Sequence, residues 1–312
     1  MGMSSQEAPN SPIPPHIQQM LEMAGMQPSK KWGQNFLLDP RIHQRIVETA
    51  CVMPHEPVIE IGPGLGHLTQ RILAAGADLT AVEIDARLVQ YIQETFAQST
   101  CLRVLNIDAL ASKHSLHQKL QEIILAFQSP YKVIANLPYN IAAPLILAFW
   151  EFIRQPKLMV VMVQREVAQR LMAAPGTSEY GPLSLFIQMH AQVIRVLDVP
   201  PHVFYPRPKV HSTVIQIIPA AVLWPIQDKI LLKATIFTLF NCRRKTIANA
   251  LRHGTFLALT KELADTALQT CQLDPTKRAE TLTLQQFISL SNCLWNLGIA
   301  AKEPMLAKGD IL

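Results

Sequence analysis

The apolar positions along the chain follow two periods. Short apolar runs fall at 57–61, 79–84, 102–107, 132–135 and 158–163, each of strand length. Between the first of them lie stretches of helical spacing at 67–75 and 86–97, the former stopped by Gly76. Short strands alternating with helices predict right-handed crossovers and a parallel sheet. Upstream, Asp39-Pro40 reads as an N-cap followed by proline at the first helical position. That helix runs to about Ala50, with Ile42, Ile46 and Val47 on one face. Residues 16–24 read as a short helix, and 193–199 with 212–218 as a terminal hairpin-like pair. After Pro219 the pattern changes: 226–297 is helical in spacing, with Asp274-Pro275 and Thr283 as starts. The expected fold is therefore α/β with a smaller C-terminal helical domain. Its segments are a flexible N-terminal arm at 1–27, an α/β domain at 28–220 and a helical domain at 221–312.

Composition narrows the class. A chain of 312 residues suits two domains. With 49% hydrophobic and 16% charged residues it is not disordered, and 23 dispersed prolines exclude a coiled coil. No apolar run reaches the ~18 residues of a membrane span. The first 28 residues hold no lysine or arginine, unlike a secretory signal, and Gln6 breaks the myristoylation pattern. Five cysteines stand singly with no CxxC pair, so reduced thiols in a cytoplasmic protein are expected, with neither disulfides nor zinc. The ten histidines lack ligand spacing, so no metal is expected. A net charge of +5 permits a nucleic-acid partner without requiring one.

Four constellations carry chemistry. In Val58-Ile-Glu-Ile-Gly-Pro-Gly-Leu-Gly66 a strand runs through a glycine-rich turn into a helix, with Gly62 and Gly64 letting a ligand approach the backbone. The spacing is GxGxG, not the GxGxxG that cradles a pyrophosphate. Glu83 ends the next strand, where an acid grips ribose hydroxyls, and Asp108 ends the third on the same edge. A nucleoside held without a phosphate cradle fits S-adenosylmethionine better than NAD. The bland alternative is a tight turn with two solvated carboxylates. Next comes Asn136-Leu137-Pro138-Tyr139, also at a strand end. A purine amino group is a poor nucleophile because its lone pair is delocalised. Acceptors on its N–H groups, here Asn136 Oδ1 and the Leu137 carbonyl, favour the nucleophilic nitrogen, and Tyr139 offers a stacking face. The alternative is a strand-to-helix turn with Asn as cap and Tyr in the core. In the third, 199–210, prolines stiffen a loop around Phe204, a candidate second face for an extruded base, with Arg207 and Lys209 suited to phosphates. The alternative is a crossover with Phe204 buried. The fourth is Arg243-Arg244-Lys245, read as a helical run of cations that faces phosphate or solvent. The region 221–290 holds nine Lys/Arg against five Asp/Glu.

In this order the motifs resemble the small-subunit ribosomal RNA adenine N6,N6-dimethyltransferase family, from about residue 30 to 290. The resemblance also rests on Gly33-Gln34-Asn35-Phe36-Leu37, Val82-Glu83-Ile84-Asp85 and Arg278-Ala-Glu-Thr-Leu282. It implies a Rossmann-like class I methyltransferase sheet plus a helical domain. It also implies S-adenosylmethionine as cofactor and dimethylation of two adjacent adenosines near the 3′ end of 16S rRNA in the assembling 30S subunit. By the same resemblance Asn35 and Leu37 close over the cofactor, with Gly62 beneath it. Glu83 holds its ribose, Asp108 its adenine, and Asn136 lies beside methyl and target. Tyr139 and Phe204 sandwich the base. Ile107, His211 and Cys242 stand where the family usually has Gly, Asp and Gln. Two rivals are a 23S dimethylase of the macrolide-resistance type and a non-catalytic assembly factor. A monomer, with no membrane association, is the expected state.

Overall fold

The computed structural model describes residues 15–28, 33–112, 115–302 and 304. Helix α1 (Pro15–Met23) buries Ile17 and Leu21 in a cluster with Phe36, Leu65, Leu88, Tyr91 and Ile92. The arm expected through residue 27 is thereby corrected from Pro15 onward, because a covered apolar side holds a helix that would be marginal alone. Residues 1–14 lie outside the described residues. After β1 (Phe36–Leu37) comes α2 (Pro40–Ala50), capped by Asp39, which accepts from the Arg41 N–H at 2.9 Å. Pro40 takes the position where a missing N–H is no loss.

The alternating region follows the expected order: β2 (Pro57–Ile61), α3 (His67–Ala74), β3 (Asp78–Glu83), α4 (Ala86–Thr95) and β4 (Leu102–Asn106). A small hairpin, β5 (Leu110–Ser112) and β6 (Ser115–Leu116), precedes α5 (Gln118–Ala126). Then come β7 (Lys132–Asn136), α6 (Ala142–Glu151), β8 (Leu158–Gln164), α7 (Arg165–Met172), α8 (Pro182–Gln188), β9 (Ala191–Val199), β10 (Phe204–Tyr205) and β11 (Ser212–Pro219).

The main sheet has the order β4-β3-β2-β7-β8-β11-β9. Its first five strands are parallel, and β11 runs antiparallel to β8. Every residue of β2 is buried, as a parallel strand covered on both faces requires. The chain moves outward from β2 to β4, then returns on the other side of β2 as β7. At such a reversal the connections from adjacent strand ends diverge and leave a crevice.

A two-stranded ribbon stands outside this sheet. Phe36 pairs with Tyr205 and Leu37 with Phe204, and the Leu38 N–H donates to the Val203 carbonyl at 2.8 Å. Phe204 is 3% exposed, in one apolar cluster with Leu37, Ile46, Val58, Leu68 and Ile134. The stacking face expected of Phe204 is corrected: in this conformation its ring is core and offers no face to solvent.

The chain divides into two compact units, 1–168 with 194–218 and 169–193 with 219–312. The second contains α8, α9 (Lys229–Asn241), α10 (Ile247–His253), α11 (Lys261–Thr270) and α12 (Leu284–Asn296). Its core includes the Tyr180–Phe240–Phe287 and Phe186–Phe237–Phe256 ring contacts. The Tyr180 hydroxyl donates to the Leu282 carbonyl. Segment 169–193, read from sequence as part of the α/β domain, belongs to this unit. Thr283 begins α12 with a capping box, as expected. Asp274-Pro275 begins no helix, because Asp274 Oδ1 accepts from the Thr276 N–H and hydroxyl and closes a turn. Arg243-Arg244-Lys245 lies in the turn between α9 and α10, not on a helix. Among the described residues no helix is long and apolar enough to cross a membrane.

The burial of Phe204 predicts that Phe204→Ala lowers unfolding free energy by ~3–5 kcal/mol in urea titration. A loss below ~1 kcal/mol would show that the ring is not core.

Candidate active site

A cleft with ≈ 770 Å³ of empty space, open to solvent, lies at the carboxyl ends of β2, β3 and β7. Four segments wall it: residues 33–37, 62–65, 83–84 and 136–139. Gly62, Gly64 and Gly66 have φ of +67°, +55° and +80°, so the turn after β2 needs the left-handed backbone at alternate positions. A Cβ on Gly64 would lie 3.1 Å from the Phe36 ring, so the turn and β1 are in close contact. An adjoining cavity of ≈ 530 Å³ is bounded by Ile107, Asp108, Ala109, Asn140 and Ile141. The two share Gly62, Glu83, Ile84 and Pro138. Glu83 thus faces both.

The Glu83 side chain is buried, and its Oε1 accepts from the N–H groups of Ile84 at 2.9 Å and Asp85 at 3.0 Å. Burial pushes its carboxyl above the usual range, opposed by those N–H donors and that of Gly64. A second acid, Glu60, is 1% exposed inside β2 and accepts from the Thr69 hydroxyl at 2.7 Å. Burial pushes it up to about 8 against the Thr69 bond, and the Glu83 charge adds to the rise. Glu60 is therefore protonated at neutral pH. Asp108 is exposed, and its Oδ1 accepts from the Leu110 N–H at 2.9 Å, which points the carboxylate along the rim of the adjoining cavity.

The Asn136 side chain stands at the tip of β7 with a defined orientation. Its Nδ2 donates to the Asn35 carbonyl at 3.3 Å, which turns Oδ1 the opposite way, as an acceptor. Asn35 Nδ2 in turn donates to the Gly33 carbonyl at 3.0 Å, and Gln34 Nε2 to Asp85 Oδ2 at 3.4 Å. The bonds from Asn136 and to Asp85 tie 33–37 to the ends of β7 and β3, and the Asn35–Gly33 bond folds the segment on itself. The Leu137 N–H donates to the Met162 carbonyl, and its side chain is buried. Tyr139 is partly buried, its hydroxyl 2.7 Å from Ser212 Oγ; burial raises the phenol above its ordinary value.

The structure brings Asn35, Leu37, Gly62, Gly64, Glu83, Asn136, Leu137 and Tyr139 to one cleft. Asp108 joins it through the adjoining cavity, where Ile107 also stands. Phe204 does not line either. Arg207, Lys209, Arg244 and Lys245 are exposed. Arg243 is exposed as well, but it is also engaged within the chain: its Nε bonds Glu280 Oε2 at 2.7 Å and a terminal nitrogen donates to the Ser178 carbonyl. Sequence reasoning missed Gln34, His43, Glu60 and His67 in the cleft wall. For Glu60 a signal existed: an acid within an otherwise apolar strand.

An open sheet of this order, with a glycine turn, a buried acid and an Asn-Leu-Pro-Tyr loop at its tips, defines a Rossmann-like class I methyltransferase. The sequence profile of the ribosomal RNA adenine dimethylase family matches residues 25–295. The ribosomal RNA small subunit methyltransferase A of Alkaliphilus metalliredigens is 40% identical over 84% of this chain and 90% of its own. A dimethyladenosine transferase from Plasmodium falciparum superposes with a TM-score of 0.69 at 24% identity, covering 85% of this chain and 98% of its own. The 23S rRNA methyltransferase ErmE superposes at 0.59 and 24%, covering 83% and 99%. The two solved structures share the fold. The chain belongs to the ribosomal RNA adenine dimethylase family and is an enzyme of that class.

Glu60 generates a pH prediction. Unfolded, it releases its proton near the ordinary 4.5; folded, near 8. Between these values the folded chain holds the extra proton, so this group's contribution to stability falls as pH rises. Wild-type melting temperature is expected to drop more steeply than that of Glu60→Gln between about pH 5 and about pH 8. Parallel curves in differential scanning fluorimetry would mean Glu60 is ionised in the fold.

Proposed function

We propose that this enzyme uses S-adenosylmethionine to dimethylate N6 of two adjacent adenosines near the 3′ end of 16S rRNA. It acts as a monomer, in the cytoplasm, on the assembling 30S subunit. The observation that carries the chemistry is the Asn136 amide, held by the Asn35 carbonyl so that Oδ1 is the acceptor beside the cleft. The small-subunit substrate is supported by the relative at 40% identity over most of both chains.

The cleft suits this cofactor. Glu83 is a buried acceptor at the junction of two cavities, suited to a ribose diol, and Asp108 borders the adjoining one, where its carboxylate suits a purine amino group. When bound, the cofactor supplies an electrophilic methyl on a positively charged sulfur. The chain's own groups do the rest. Residues 33–37 form one wall of the cleft and screen a bound cofactor from water on that side, which strengthens the polar contacts there. Asn136 Oδ1 and the Leu137 carbonyl accept from the adenine amino group, turn its lone pair toward the methyl and stabilise the charge that develops on nitrogen. Tyr139, fixed through Ser212, gives the extruded base a surface to stack on. The methylated nitrogen is a strong acid and releases its proton to water, so no side chain is needed as base. Arg207, Lys209, Arg244 and Lys245 contact RNA phosphates.

The 23S reading has only the shared fold of ErmE behind it. A non-catalytic factor would not need the Asn136 orientation. The deciding assay is methyl transfer to unmethylated 30S particles and to 23S rRNA. Label should enter 30S adenosines, and Asn136→Ala should cut turnover at least ~100-fold while still binding cofactor. Transfer to 23S rRNA alone, or full turnover by the variant, would refute this reading. Arg244→Ala should reduce the salt slope of RNA binding by about one, with stability unchanged. Arg243→Ala should instead lower stability, through loss of its Glu280 and Ser178 bonds, as read by urea unfolding.

A further inference from the structure

Two histidines stand in the cleft wall, and the chemistry above uses neither. His43, on α2, is 4% exposed, and His67 opens α3 directly after the glycine turn. Their rings stack with centroids 5.7 Å apart and planes 13° apart. Both line the larger cavity, beside Glu60, while Ile107 and Asp108 line the adjoining one.

This division decides where the parts of a ligand go. A nucleoside with its ribose at Glu83 and its base toward Asp108 leaves its 5′ substituent in the larger cavity. In the methyl donor proposed above that substituent ends in an amino acid, with a carboxylate and an ammonium. No lysine or arginine is among the described residues lining this cavity. Glu60, protonated, adds no positive charge to meet the carboxylate, and Glu83, where ionised, favours the ammonium end over it. The carboxylate therefore needs an N–H donor from the cleft wall. His43 is buried, and burial first, then His67 and Arg71, hold its pKa down at about 3, so it is a neutral, rigid surface. Stacked on it, the His67 ring is held in one plane, and a pre-set donor loses little freedom on binding. Charge-assisted bonds of this kind are among the stronger ones in proteins.

We propose that His67, held in plane by His43, binds the α-carboxylate at the amino-acid end of the methyl donor. The inference rests on the S-adenosylmethionine reading, and the test separates the two. Purified protein is titrated calorimetrically with S-adenosylhomocysteine and with 5′-methylthioadenosine, which keeps the nucleoside and thioether but lacks the amino acid. His67→Ala should weaken S-adenosylhomocysteine ~10- to 100-fold and leave methylthioadenosine unchanged. His67→Gln, which retains an N–H donor, should recover part of that loss. Equal weakening of both ligands, or of neither, overturns the assignment to His67. If wild-type protein binds neither ligand, the methyl-donor reading itself fails.

Discussion

A carboxylate buried at the tip of β3 is the constraint around which the cleft is built. Glu83 keeps a charged form accessible only because backbone N–H groups converge on it. Those donors exist because the chain turns sharply after β3 and enters α4 at Asp85. A ligand diol supplies hydrogen-bond partners that burial has removed from water. The same crowding acts on Glu60, which lies one strand away and takes up a proton instead, with Thr69 as its partner. The site thus stores electrostatic tension that a purely stabilising sequence would relieve with apolar residues, a common compromise at functional sites.

The other wall depends on support from outside the sheet. Residues 33–37 carry Asn35, whose carbonyl orients Asn136. That stretch is held by pairing of β1 with β10 and by the cluster beneath α1, where Ile17 and Leu21 meet Phe36 and Leu65. Gln34 adds a bond to Asp85, the residue that caps α4. Phe204 acts on the cleft through this ribbon: burying its ring fixes the strand opposite Leu37. A residue read from the sequence as a face for a base is, in this conformation, a positioning residue for the neighbouring wall.

Local signals made the α/β half readable. The central strands β2, β7 and β8 carry continuous apolar runs because they are covered on both faces, and the glycine turn needs positive φ at residues only glycine serves well. The acids at the strand ends were visible for the same reason: they interrupt those runs. What escaped was set by partners distant along the chain. Arg243 is occupied by Glu280 and Ser178, each far away in sequence, so no local pattern announces it. Segment 169–193 joins the helical unit although it lies between two strands of the sheet, and periodicity does not say which core a helix enters. The stacked His43 and His67 come from different helices, 24 positions apart, and although His67 follows the glycine turn, nothing local pairs it with His43.

The most direct measurement is a crystal structure of the chain with S-adenosylhomocysteine bound. The account predicts the ribose hydroxyls within hydrogen-bonding distance of the Glu83 carboxylate. The adenine would lie beside Asp108 and Ile107, with the sulfur facing Asn136 across the cleft. Ligand bound elsewhere, or ribose density remote from Glu83, would contradict it.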